Sequence, residues 1–583
     1  MAPAEKLYDA NVNSKEPIAN GSEKLDKEPA PPAKETESYV VADPQSRRHG
    51  SDHRGAFHYA WDAILGHDDG KKGQITYSDK IQAKGEANQT WQAKISVVCL
   101  KILFNIYAPM KAFGQFVEDI LNLFVANGGV IRTFYHIFFP WAWYKLVILD
   151  RQHADYKSFL ALLDPRVELY TDFGQNPDKI DQANAEIFPG TQYGSQFTAD
   201  VLVMASKIAY ENANSVNRTV GKTWKMNFVG FWDCWNEFQG EQNTQVFIFT
   251  DRPVDARAVV VAWRGTEPFN TLDWSTDFDF SWLEIKGLGK VHVGFLEALG
   301  LGDRNEMETF VNMQKSAASR QRAGQHEVGD SNLSGLSNSV KSDKYKRLAY
   351  DYVTKRLKAL MRQHQNAKLF VTGHSLGGAL ANLYTGLLFF NEEEKLTSRI
   401  AAVYTFGQPR VGAKDYSDYL IGKLTTERYW RVVYSNDLVP RIPFDGPIFQ
   451  FKHSGYCYFY DERHTLATLE DVPNPNYFTW SISDFFKHRI EALYDLILSV
   501  FAGWIYGPKF REGWIALAVR STGIIMPGMC GHLLNNYVNA VRLGPTVLDS
   551  KLNKHKYGLF NWIASFLGAQ SENYSATTAH HGA

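Results

Sequence analysis

The chain has 583 residues, 44% hydrophobic and 14% aromatic, with 62 Lys and Arg against 63 Asp and Glu. That length is about two to four domains' worth of chain, ample for a large core. The formal net charge of −1 removes any general electrostatic ground for binding nucleic acid. Cys99, Cys234, Cys457 and Cys530 are scattered, without a Cys-x-x-Cys pair, which argues against a zinc site or a disulfide framework and fits free thiols in a reducing compartment.

Residues 1–53 are rich in Lys, Glu, Pro, Ser and Asn. They hold too few large apolar residues to offset their ordering entropy, so a disordered segment is expected. It has no apolar stretch of the kind a cleavable secretory signal carries.

Residues 54–150 change character and become a hydrophobic, aromatic-rich region. The uncharged runs 120–131 and 133–144 are each about 12 residues, short of the roughly 20 that a spanning helix requires. Gly128-Gly129 and Pro140 interrupt helix continuity. The cluster Phe134-Tyr135-His136-Ile137-Phe138-Phe139-Pro140-Trp141-Ala142-Trp143-Tyr144 has the composition of a membrane interface. Two readings stand: a lipid-surface anchor, lying flat or as a re-entrant hairpin, or a helical pair packed on the rest of the chain.

Residues 151–240 read as a helical region packing on the core, with 201–213 as its clearest segment and Trp224, Trp232 and Trp235 near its end. Strands then begin. Residues 244–250 and 256–263 are β-rich runs joined by Asp251-Arg252-Pro253-Val254-Asp255, a hairpin signal. The second runs into Trp263-Arg264-Gly265-Thr266-Glu267. Residues 268–282 mix Phe, Leu and Trp with Asp and Thr, which suits a short amphipathic lid or core aromatics on a buried loop. Residues 314–343 read as a flexible surface insertion. Strands at 399–405 and 429–434 alternate with helices, so residues 241–550 are expected to form a mainly parallel α/β sheet. A helical insertion is expected at 480–525, and residues 551–583 form a C-terminal tail.

The centre of that domain is the stretch from Ala367 to Tyr384. It reads as an apolar strand, then Gly373-His374-Ser375-Leu376-Gly377-Gly378, then a helix opening on small residues. Gly-x-Ser-x-Gly between strand and helix is a nucleophile elbow. The strained turn needs glycines where strand and helix meet. It also aims the helix N-terminus and the Leu376 N–H at a carbonyl on which negative charge develops.

A serine nucleophile needs a base, itself oriented by a carboxylate, and α/β hydrolases place them in the order Ser, Asp or Glu, His. Asp437 follows directly on the run 429–434, so it falls at a strand's carboxyl end, at the elbow's edge of the sheet. His453, His464, His488 and His532 lie downstream. His488 sits beside Lys487 and Arg489, on the expected solvated face of an amphipathic helix. His532, on the loop Pro527-Gly528-Met529-Cys530-Gly531-His532, is preferred, with His453 second. Thr266, after an earlier strand, is the candidate second oxyanion donor beside Leu376.

These pieces resemble the class 3 (fungal-type) triacylglycerol lipase family. The matching residues are Trp263-Arg264-Gly265-Thr266, His292-x-Gly294-Phe295, Gly373 to Ala381, Phe406-Gly407-x-Pro409-Arg410-x-Gly412, Asn436-Asp437-x-Val439-Pro440, His453-x-Gly455, and His532 with Tyr537. They run in family order across roughly residues 240–545, about half the chain. The resemblance implies an α/β-hydrolase fold and an acyl-enzyme mechanism without metal or organic cofactor. It makes Ser375 the nucleophile, Asp437 the acid and His532 the base, with Thr266 and Leu376 as the oxyanion hole and His374 and His453 structural.

The aromatic N-terminal block and the size are most similar to the plant oil-body (lipid-droplet) lipases. Those imply triacylglycerol as substrate and residence on the cytosolic face of the droplet, a membrane-associated surface. Two features depart from the fungal pattern. The fungal relatives lack residues 1 to about 200, and a long insertion separates Asp437 from His532, with amphipathic segments that would add a second lipid-facing surface. A phospholipase A or galactolipid acyl hydrolase is the alternative among enzymes, and a non-catalytic droplet coat protein the alternative outside them.

Overall fold

Alternation along single strands sets the layers. In the computed structural model, Val259, Val261 and Trp263 face one apolar layer while Ala258, Val260 and Ala262 of the same strand face another. A strand buried on both faces must be covered on both, and helices do so here. The structure describes residues 91–170, 196–236, 239, 241–267, 282–302, 309–310, 347–443, 445, 450–475 and 482–544. The expectations for 1–53, 268–281, 314–343 and 551–583 lie outside these residues.

The strands are β1 (Asn227–Asn236), β2 (Glu241–Thr250), β3 (Ala258–Trp263), β4 (Trp282–Ile285), β5 (Gly289–His292), β6 (Lys368–His374), β7 (Ile400–Phe406), β8 (Gly412–Ala413), β9 (Tyr429–Tyr434), β10 (Phe451–Lys452), β11 (Cys457–Tyr460) and β12 (Leu466–Leu469). Eight form one sheet in the order β1-β2-β3-β6-β7-β9-β11-β12. The centre, from β3 through β6, β7 and β9 to β11, is parallel, and the flanking pairs β1-β2, β2-β3 and β11-β12 are antiparallel. A small antiparallel sheet, β10-β8-β5-β4, stands beside it. The mainly parallel α/β-hydrolase sheet is as expected.

The helices used below are α1 (Trp91–Ala126), α2 (Val130–Phe138), α3 (Phe159–Leu163), α4 (Gln196–Ile208), α5 (Ala349–Gln363), α6 (Leu376–Phe390), α7 (Lys414–Leu424), α8 (Ile482–Ile505), α9 (Trp514–Thr522), α10 (Pro527–Gly531) and α11 (Leu534–Leu543). Residues of α5, α6 and α7 build one face layer and residues of α4 and α11 the other. Helix α6 is apolar nearly all round and buried along almost its whole length, as a helix sandwiched inside a large protein must be.

One expectation needs correction. Residues 151–240 are helical only in part, because Asn227–Asn236 is strand β1, paired with β2. Its register shifts at Phe228/Gly230 and at Cys234/Trp235. Such bulges break the period-2 alternation by which a strand is read from sequence.

Helices α1 and α2 form a hairpin, hinged where Gly128 and Gly129 take φ of 77° and 108°. A polar side ties it to the core. Lys111 Nζ lies 3.2 Å from Glu241 Oε2, Glu118 Oε1 accepts from the Phe159 N–H at 2.9 Å, and the Asn122 amide brackets Lys157. The outer side of α2 and of the 3-10 turn and extended chain that follow it presents Ile131, Phe138, Trp141, Trp143, Tyr144 and Ile148 to solvent, with Ile131 88% exposed. The block is thus packed on the core and apolar outward at once. Among the described residues, no helix is long and apolar enough to cross a membrane.

Beneath α4 an ionic cluster fastens the segment after α3. Asp164 sits 2.7 Å from Arg166 Nε and 3.0 Å from Lys207 Nζ, all but out of solvent. Burial alone would push the Asp164 carboxyl up, but Lys207 and Arg166 outweigh it and hold it well below the usual carboxylate range. A depressed carboxyl contributes stability above its unfolded pKa and loses it as pH falls. Asp164→Asn is therefore expected to destabilise the protein by about 3–5 kcal/mol at pH 7, because it removes the carboxylate partner of the buried Lys207 and of the half-buried Arg166. In urea denaturation the gap to wild type should persist down to about pH 4, near the unfolded carboxyl pKa, and narrow below it.

Candidate active site

The register of the parallel strands brings the candidate residues to one edge. Trp263 pairs with Gly373, Gly373 with Thr405, His374 with Phe406, and Phe406 with Val432. The carboxyl ends of β3, β6, β7 and β9 therefore lie side by side, and Thr266, Ser375, Gly407 and Asp437 follow directly on them. Outside the carboxyl ends of parallel strands is where α/β sheets gather their functional loops.

Ser375 has φ 58° and ψ −133°, a strained conformation for a residue with a side chain. The surroundings hold it there. A Cβ on Gly373 would stand 2.1 Å from the Gly377 carbonyl oxygen, and one on Gly377 would stand 2.2 Å from the Trp263 carbonyl oxygen. Strand, turn and helix touch backbone to backbone, so neither glycine can be replaced without moving the elbow.

The Ser375 hydroxyl is buried and has no hydrogen-bond partner among the described residues. Leu376 opens α6, whose first N–H groups have no acceptor within the helix. Gly265 packs against this turn, its absent Cβ within 2.3 Å of the His374 carbonyl oxygen and 3.0 Å of Ser375 Cβ. Thr266, buried, is carried to the serine by that contact.

Asp437 is wholly buried. Its Oδ2 accepts from His532 Nδ1 at 2.7 Å and from the Tyr537 hydroxyl, and its Oδ1 accepts from the Val439 N–H at 2.9 Å. Burial, reinforced by Asp437, pushes the Tyr537 phenol far above its ordinary pKa, so it stays a donor. The Arg441 guanidinium donates to the Asp437 carbonyl oxygen and, at 3.1 Å, to that of Ser435. A Cβ on Gly531 would come within 2.8 Å of the Asp437 N, so the histidine loop and the acid's turn are in direct backbone contact.

His374 braces the other side. Its Nε2 meets the His532 carbonyl oxygen at 3.1 Å, and its Nδ1 meets the Tyr210 hydroxyl at 2.9 Å. The carbonyl can only accept, so the proton belongs on Nε2 and Nδ1 accepts from Tyr210. Burial, with His532 beside it, keeps the His374 ring neutral. The two imidazoles stack with centroids 4.5 Å apart.

The other histidines are elsewhere. His453 Nε2 meets the Pro440 carbonyl oxygen at 2.6 Å. His464 packs on Tyr434 and Tyr506, and burial lowers its pKa to about 4. His488 was expected on a solvated face; instead its side chain is 12% exposed, with Nδ1 3.2 Å from Glu491 Oε2. The amphipathic helix carrying it is turned with its polar side inward.

The structure thus gathers Thr266, Ser375, Leu376, Asp437 and His532. Sequence reasoning assigned no role to Tyr210, Tyr537 or Arg441. Arg441 lies four residues beyond Asp437, and Tyr537 five beyond His532. Tyr210 sits in the turn just after α4, with no local signal.

A model of the family described as Lipase (class 3) matches residues 260–446. The chain is 40% identical to the triacylglycerol lipase OBL1 of Arabidopsis thaliana, over 78% of this chain and 85% of that one. It is 38% identical to the triacylglycerol lipase OBL1 of Nicotiana tabacum, over 78% and 83%. A shorter match, 30% identical over 34% of this chain and 44% of the other, is to Phospholipase A1-II 4 of Oryza sativa. With 40% identity along most of both chains and the elbow set at the parallel edge, the chain belongs to the class 3 lipase family.

Proposed function

We propose that the protein hydrolyses the carboxylic esters of triacylglycerol at the surface of a lipid droplet, through an acyl-enzyme on Ser375. The observation that carries this is the His532–Asp437 pair set beside a strained serine elbow, in a chain matched over most of its length by triacylglycerol lipases. Ser375 Oγ attacks the ester carbonyl while His532 Nε2 takes its proton. Asp437 stabilises the imidazolium through Nδ1. The oxyanion forms against the Leu376 N–H and the Thr266 N–H and hydroxyl, with the N-terminus of α6 behind them. The alkoxide leaves with the proton returned by His532, releasing diacylglycerol. Water, activated by the same imidazole, then frees the fatty acid and Ser375. A serine hydrogen bond absent in the resting enzyme and made with substrate is common at such sites.

The exposed aromatic side of α2 and of the turn Pro140–Lys145 after it supports residence on the droplet. Trp and Tyr favour the boundary between headgroups and acyl chains. A hairpin too polar on its inner side to cross the bilayer suits a surface that has only one monolayer.

Three outcomes follow. Ser375→Ala should reduce fatty-acid release from emulsified long-chain triacylglycerol to background, while the same variant pair tested on phospholipid vesicles shows little serine-dependent release. Serine-dependent release mainly from phospholipid would reassign the substrate to phospholipid, and none from either would favour a coat protein. Tyr537→Phe removes one hydrogen bond to a charged acceptor, about 1.5–3 kcal/mol, and should lower kcat about ten- to a hundredfold with little change in KM. Replacing Ile131, Phe138, Trp141 and Trp143 together by Ser should shift the protein from the floating lipid fraction to the aqueous phase, with hydrolysis of a soluble short-chain ester retained.

A further inference from the structure

Helix α8 is inverted with respect to an ordinary surface helix. Phe486, Ile490, Leu493, Ile497 and Trp504 recur at helical spacing and form one exposed ridge, with Ile490 66% and Trp504 87% exposed. At 24 residues the helix is about 36 Å long. Trp514, Ile525 and Met526 add to the apolar exposure of the segments that follow. Its polar residues turn inward. Glu491 accepts from Asn436 and lies 3.2 Å from His488 Nδ1, and Asp495 accepts from the Tyr434 hydroxyl at 3.2 Å and from Arg520. The buried Arg520 donates to both Glu512 oxygens at 2.6 Å.

The charges are sorted the same way. Glu491, Asp495 and Glu512 are paired on the inward side, whereas Lys487, Lys509 and Arg511 are exposed. The segment therefore offers water an apolar ridge with exposed cationic side chains at its margin. That combination is complementary to a lipid monolayer with anionic headgroups, apolar below and negative at the surface.

We infer that α8, with the segment through Met526, is a second lipid-docking surface that lies in the plane of an anionic phospholipid monolayer and orients the Ser375 site toward it. The inference rests on the proposed lipase reading. The coupling is built in. The ridge's underside holds Asn436, the neighbour of Asp437. Through Arg520 it also holds Asn536, whose amide donates to the Cys530 carbonyl oxygen two residues before His532.

The test uses the full-length protein on triolein emulsions coated with phosphatidylcholine, with or without phosphatidylserine, beside a soluble butyrate ester. A variant with Ile490→Ser, Ile497→Ser and Trp504→Ser is expected to lose at least about tenfold of its emulsion rate and stay within about twofold on the soluble ester. Lys487→Glu with Lys509→Glu and Arg511→Glu should lose activity on the phosphatidylserine-containing emulsion alone. An unchanged emulsion rate in the first variant overturns the inference.

A second readout is independent of catalysis. An environment-sensitive fluorophore on Ile497→Cys, corrected for the signal of identically treated wild type, should shift to the blue on adding the emulsion and be quenched by brominated lipid. No response overturns the docking surface, including the case in which residues 545–583 or a second copy of the chain already cover the ridge. Loss of all ester hydrolysis in wild type would defeat the lipase reading instead, and the fluorophore would still report docking.

Discussion

The arrangement depends on a place where there is no room for side chains. The carbonyl oxygen of Trp263, the peptide of Gly377 and the α-carbons of Gly373 and Gly265 approach one another so closely that a single Cβ at any of the three glycines would overlap backbone or a buried hydroxyl. This contact fixes the end of β3 against the start of α6. It puts Thr266 beside Ser375, and it keeps the serine in a conformation it would not adopt alone. The parallel pairing of β6, β7 and β9 then sets Asp437 on the same edge. Strain at one residue is tolerable because the whole central sheet over-determines it.

Around that contact the polar groups are satisfied in a graded way. The side chain of Asp437 has three donors, and its carbonyl oxygen has a fourth in Arg441. Such a carboxylate is held rigidly in one orientation by its donors. His374 is neutral, wedged between Tyr210 and the His532 backbone, and acts as a splint for the histidine loop. The Ser375 hydroxyl, by contrast, is buried with no hydrogen-bond partner among the described residues. A buried serine set beside a rigidly held acid–histidine pair is preorganised for charge that appears only during the reaction.

Both helical additions to the sheet depart from the usual rule of apolar inside and polar outside. The α1–α2 hairpin and α8 each turn their ionic and amide groups toward the core and their large apolar side chains outward. Buried polar pairs of this kind hold an orientation more than they add stability. The cost of the exposed apolar area is removed only against another apolar phase. On the proposed function, that phase is the lipid that holds the substrate.

What the sequence determined by itself was whatever local chain geometry dictates. The elbow was legible because its glycines, serine and small helix residues are contiguous, and the strain they relieve is a property of one turn. Asp437 was legible because it follows directly on an apolar run. His532 was preferred from its loop, and the structure pairs it with Asp437. Strand β1 was not legible, because its two register shifts interrupt the alternation that marks a strand. The roles of Tyr210 and Tyr537 were not legible either: they act across 164 and 100 residues, and nothing local encodes a hydrogen bond made by folding. Periodicity revealed the apolar stripe of α8 but put His488 on the wrong side. Spacing fixes which residues share a face of a helix, whereas which face meets the protein is decided by the partners that tertiary packing supplies, here Asn436, Tyr434 and Arg520.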